Sequence, residues 1–149
     1  MVINSNLDTI EMIKKELSFL LVALIIGCGD AGPPLAEVSG IVTFDGEPLP
    51  TGTITFVPQG EDLPYAYATI QGDGTYYAKT PEYGNGVPIG NHKIMISAMK
   101  DMGPEAPVEL LIPSKYSSDQ NSGLTANVVA GENTINFPLE VEKTKRKKL

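Results

Sequence analysis

The chain has 149 residues, a formal net charge of −7 and 42% hydrophobic residues, with one cysteine, one histidine and no tryptophan. That length supports one hydrophobic core and not two, a single histidine excludes two-histidine zinc motifs such as H-E-x-x-H, and a single cysteine excludes an internal disulfide. Charge is unevenly spread: Cys28–Glu142 holds four lysines against fifteen carboxylates, −11 in net, whereas Lys143–Leu149 carries +5, and an acidic body repels nucleic acid.

The first predicted element is a helical export signal. Lys14 and Lys15 supply a positive flank, and Leu17–Ile26 supplies an apolar core broken only by Ser18. That core suits a signal peptide and falls short of the ~20 residues needed to span a bilayer. Asp8 and Glu11 precede the lysines and Glu16 follows them, so the flank is long and not cleanly basic, which makes Met12 a candidate start. The run Leu24-Ile25-Ile26-Gly27-Cys28 then places a small residue before the sole cysteine, where an export signal would be cut. This run resembles the lipobox of bacterial lipoproteins. The resemblance implies a signal peptide over 1–27, lipidation of Cys28 with palmitate-type chains, and a membrane-anchored protein of the cell envelope facing the periplasm or the exterior. The competing reading is an uncleaved helical anchor, or a buried apolar helix with an incidental cysteine. Each buried methylene contributes about 0.8 kcal/mol, so a multiply acylated cysteine holds almost permanently. Residues 28–36 read as a tether: the eight from Gly29 reach at most roughly 26–29 Å, and Pro33-Pro34 stiffens them.

The body over 37–142 reads as all-β, because alternation of period two recurs in short runs bounded by Gly, Pro, Asn or Asp. Val38, Gly40, Val42 and Phe44 share one face of the first run, and Asp45-Gly46 follows as a turn. Ile54 and Phe56 alternate with Thr53 and Thr55 in the second run, which Pro58 ends. Tyr65–Ile70 forms a third run, and Gly72-Asp73-Gly74 gives a tight turn that tolerates positive φ. Tyr76 and Ala78 then alternate with Tyr77 and Lys79; Ile94, Ile96 and Ala98 alternate with Lys93, Met95 and Ser97. Leu124, Ala126 and Val128 form the sixth run. The seventh sets Ile135, Phe137, Leu139 and Val141 opposite Thr134 and Asn136, with Pro138 marking an edge position. Seven such runs, without a helical period after the signal, predict a seven-stranded antiparallel β-sandwich. Residues 143–149 form a basic tail, suited to anionic surfaces or simply solvated.

Val38-Ser39-Gly40-Ile41-Val42-Thr43-Phe44-Asp45-Gly46-Glu47-Pro48-Leu49-Pro50 resembles the opening of carboxypeptidase-regulatory-like domains, a branch of the transthyretin-like (prealbumin-like) sandwiches. Gly52–Phe56, Gly72–Tyr76, Pro88–Ile94, Ser122–Thr125 and Gly131–Phe137 continue that resemblance in the expected order. These are turn and core residues, so the resemblance implies a fold rather than an activity. Two enzymatic relatives of that fold are disfavoured by it. Zinc carboxypeptidases keep catalysis in a separate domain, and transthyretin-like ureide hydrolases use several His and Arg residues, whereas this chain has His92 and Arg146 alone.

Candidate sites are few. Asp45, Glu47 and Asp73 would offer carboxylates to calcium, but they lack the dense spacing of an EF-hand loop and read as ordinary turns. His92 has no carboxylate beside it in sequence, and no G-x-S-x-G elbow accompanies it, so no catalytic residue, metal or cofactor is expected. The connection Met99–Gly123 is long and apolar, with Val108, Leu110, Leu111, Ile112 and Tyr116. It predicts either an extra strand near Val108–Ile112 or a binding lip presenting Tyr116. Tyr65 and Tyr67, two residues apart, share a face: core or edge packing is the first reading of these tyrosines, and an exposed aromatic surface, for which this pair is the best candidate, is the other. The sequence thus predicts a non-catalytic, lipid-anchored module for protein interaction or structural support. A carbohydrate-binding or adhesion module is the alternative, and a small transthyretin-like hydrolase is the third. The expected partners are the membrane, through Cys28, and an envelope protein or glycan.

Overall fold

The computed structural model describes residues 32–100, 103 and 108–141. The signal segment, Cys28 and the basic tail lie outside the described residues. The strands are β1 (Leu35–Phe44), β2 (Glu47–Pro48), β3 (Gly52–Pro58), β4 (Ala66–Ile70), β5 (Thr75–Thr80), β6 (Gly84–Asn85) and β7 (Val87–Pro88). They continue with β8 (Gly90–Ser97), β9 (Met99–Lys100), β10 (Glu109–Leu110), β11 (Leu124–Val128), β12 (Glu132–Thr134) and β13 (Phe137–Leu139). Among the described residues the single helical element is a 3-10 turn, Ser114–Ser117. The all-β expectation holds.

One hydrogen-bonded path runs β11-β8-β3-β4-β5-β1-β12 and curls strongly, while β9 and β10 form a separate two-stranded ribbon. From β11 to β1 every neighbouring pair is antiparallel. The closing strand departs from the expected pattern. β12 and β13 both run parallel to β1, Glu37 facing Glu132 and Phe44 facing Leu139 in one unbroken register. The sheet is therefore not purely antiparallel, because period-two alternation looks the same for either strand direction. Between β12 and β13 the ladder is patched by a side chain: Ile41 N–H donates to Asn136 Oδ1 at 2.9 Å. Pro138 sits in β13, paired only with β1, at an edge where its missing N–H costs no ladder bond. β1 also starts two residues before the expected boundary, with Ala36 already buried against the core.

Two turns rest on backbone that glycine serves best. Asp45 and Gly46 both have positive φ, 51° and 90°, which joins Phe44 to Glu47 as a two-residue hairpin. Gly74 has φ 83°, and a Cβ there would meet the Val42 carbonyl oxygen at 2.8 Å.

The inner faces make one core. Val38 and Val42, Ile54 and Phe56, Ala66, Ala68 and Ile70, Tyr76 and Ala78, Ile94 and Ile96, and Ala126 and Val128 are all buried, at the alternate positions expected. Phe137 and Leu139 complete it; Val141, expected on the same face, is exposed because β13 ends at Leu139. At the centre the Tyr76 ring stacks on Phe137 at 5.9 Å, and Phe56 meets both at 6.4 Å. The Tyr76 hydroxyl donates to Ile135 O at 2.7 Å, so the buried phenol is satisfied.

Candidate functional site

The outer faces of β3, β4, β5, β1 and β12 line an open groove of about 740 Å³. Its floor follows from strand register. Thr53 pairs Thr69, Thr69 pairs Tyr77, Tyr77 pairs Ser39 and Ser39 pairs Thr134, so five adjacent strands each place one hydroxyl side chain on a single rung. Tyr77 stands at the middle of that rung and is 76% exposed, an unusual position for a large aromatic side chain. Tyr67 pairs Lys79 across the β4–β5 ladder, which makes Tyr67 and Tyr77 diagonal neighbours on the same face. Glu37 and Glu132, opposite one another in register, form the acidic rim. Lys79 and Asn85, also in register, form the basic and amide side.

Hydroxyls inside the fold are already engaged. Thr80 Oγ1 donates to Gly86 O at 2.8 Å, Ser122 Oγ to Ile94 O at 2.6 Å, and Tyr76 to Ile135 O. Among the described residues, no side-chain hydrogen bond engages the hydroxyls of Thr53, Thr69, Tyr77, Ser39 or Thr134. Their donor and acceptor capacity faces outward.

The residues expected to form a binding surface separate. Tyr67 lies in the groove, while Tyr65 precedes β4, is 51% exposed and is not part of the lining. Tyr116 belongs to the core and not to a lip. It is buried in the 3-10 turn, and its hydroxyl donates to Glu140 O and accepts from Glu140 N–H, both at 3.1 Å. The long connection pairs back on itself instead, Leu110 facing Met99 and Leu111 N–H reaching Ala98 O, with Ile112 inserted into the core. Cys28, the expected lipidation site, lies outside the described residues.

The other chemically notable residues serve the fold. Asp73 accepts from the Thr75 N–H at 3.0 Å and the Thr75 hydroxyl at 2.6 Å, and these bonds hold its carboxyl below the usual range. Asp45 accepts from Val141 N–H at 3.1 Å. No group of three or more His, Cys, Asp or Glu placed to hold a metal occurs among the described residues. His92 is on the inner face of β8, buried, with its ring edge-on to Phe56 at 6.1 Å. Its Nε2–H donates to Pro88 O at 2.7 Å and its Nδ1 has no partner. The ring is thus shielded from solvent, at 1% exposure, and does not line the groove.

The groove was only half visible in the sequence. Alternation puts Tyr67, Tyr77 and the threonines outside, but which of them meet depends on register across five strands. Compared with protein-family models, curated proteins and solved structures, the chain gives no match.

Proposed function

We propose that this chain is a lipid-anchored protein of the bacterial cell envelope, held by acylation of Cys28, whose transthyretin-like sandwich is a non-catalytic module for binding or structural support. The groove carries the binding half of this reading: it is open, centred on an exposed tyrosine, and lined by hydroxyls with free hydrogen-bonding capacity. The burial of His92, with its Nε2–H engaged by Pro88, favours binding over catalysis. Strands at each of the seven expected runs, the last split into β12 and β13 and parallel to β1, surround one core and support the transthyretin-like reading. The lipobox-like run ending at Cys28 supports the address.

The test is incorporation of radiolabelled palmitate by the wild type and Cys28→Ala in a bacterial host, with detergent-phase partitioning of each. Label in the wild type and none in the variant, which shifts to the aqueous phase, is the expected result. A wild type that takes up no label would remove the anchor on which the reading depends.

A further inference from the structure

We infer that the groove binds a neutral oligosaccharide, laid across the strands along the hydroxyl rung with a sugar ring against Tyr77. The inference rests on the binding reading above and names its ligand class. Adjacent strands lie about 4.8 Å apart, so Thr53, Thr69, Tyr77, Ser39 and Thr134 present hydroxyls at a repeat close to the advance of one pyranose ring in an extended chain. A sugar chain offers the partners that these side chains lack: a row of hydroxyls that both donate and accept, as the rung's own hydroxyls do. Its C–H faces need an amphipathic aromatic surface, and Tyr77, 76% exposed at the centre of the rung with Tyr67 diagonal to it, supplies one. At the rim the Glu37 and Glu132 carboxylates accept from paired hydroxyls, and the Lys79 ammonium donates.

Charge and polarity narrow the class. Two carboxylates face one amine in the groove, and the body around it carries −11 in net, which opposes a phosphorylated or uronic polymer. The exposed lining side chains other than the tyrosines are hydroxyl, amide or charged, which does not suit an acyl chain. It also does not suit the apolar centre of a stable protein interface.

The experiment titrates the full chain, in a detergent without a sugar headgroup, with cellohexaose, chitohexaose and maltohexaose. Calorimetry and intrinsic tyrosine fluorescence read it out, since the chain has no tryptophan. Saturable binding of at least one hexasaccharide with Kd below about 1 mM is expected. Tyr77→Ala should weaken it about tenfold, the scale of one aromatic contact. Tyr83→Ala, exposed but outside the groove, should leave it unchanged. Absence of saturable binding by all three, or binding indifferent to Tyr77→Ala, overturns the inference. Palmitate labelling of Cys28 is independent of either result, so the envelope reading and the glycan reading fail separately.

Discussion

Tyr76 and Tyr77 are consecutive residues of β5 with the same side chain and opposite roles. Tyr76 is fully buried, stacked on Phe137, with its hydroxyl on Ile135 O, and burial pushes its phenol well above the usual range. Tyr77 is 76% exposed on the groove rung, without an internal partner for its hydroxyl among the described residues. Among the described residues the buried hydroxyls of Tyr76, Thr80 and Ser122 are each engaged, whereas the outer face leaves a row of hydroxyls open. That contrast separates side chains that hold the fold from side chains available to a ligand. Tyr76→Ala should therefore cost about 3–5 kcal/mol, as truncation of a buried aromatic does. Tyr77→Ala should stay within about 0.5 kcal/mol. Urea denaturation followed by circular dichroism measures both, and a Tyr77→Ala loss near that of Tyr76→Ala would mean the outer face is structural too.

Glycines sharpen the same contrast. Gly40 lies where β1 passes the break between β12 and β13, and a Cβ there would fall on the Ile135 carbonyl oxygen, the acceptor of the Tyr76 hydroxyl. Gly72, in the exposed turn before β5, has nothing within 4 Å of an added Cβ. Gly40→Ala should cost about 1–3 kcal/mol, the range for overpacking a tight contact, and Gly72→Ala about 0.5 kcal/mol or less. A Gly40→Ala protein as stable as Gly72→Ala would show that the closing strand yields at this point, and that the two faces are less unequal than they look.

Much of the inner face was legible because alternation fixes it residue by residue. Val38 and Val42, Ile54 and Phe56, Tyr76 and Ala78, and Ile94 and Ile96 need only their own strand to be assigned. The Asp45-Gly46 hairpin was legible for the same local reason. The direction of the closing strand was not, since Phe137 and Leu139 point inward whether β13 runs with β1 or against it. Tyr116 misled because an apolar loop with an aromatic residue reads alike as lip or as core. Its burial follows from Glu140, 24 residues on, whose backbone brackets the phenol. The groove needed a still longer reach. Ser39 and Thr134 meet Tyr77 through pairings that join the first, fifth and twelfth strands, and no local pattern encodes those.

β8 repeats the two-faced arrangement with titratable side chains: His92 turns inward and Lys93 outward. Burial holds the His92 imidazole below its ordinary value of 6.5, and the bond to Pro88 O, which the charged ring would also donate, offsets part of that shift. Well above pH 6.5 the ring is neutral in both folded and unfolded chains and contributes no pH dependence. As pH falls below 6.5 the unfolded chain binds a proton that the folded chain still refuses, so stability drops. The slope reaches at most about 1.4 kcal/mol per pH unit, one proton's worth, and vanishes below the folded value, where both states are protonated. The orphaned Nδ1 is the atom that must take this proton, in a core where Phe56 packs edge-on and no carboxylate engages the ring through a hydrogen bond. Denaturation midpoints between pH 8 and 5 should fall in the wild type, and His92→Leu, though weaker throughout because Pro88 O loses its donor, should lose this component of the slope. An identical slope in both proteins would move the acid sensitivity to the carboxylates of the outer face.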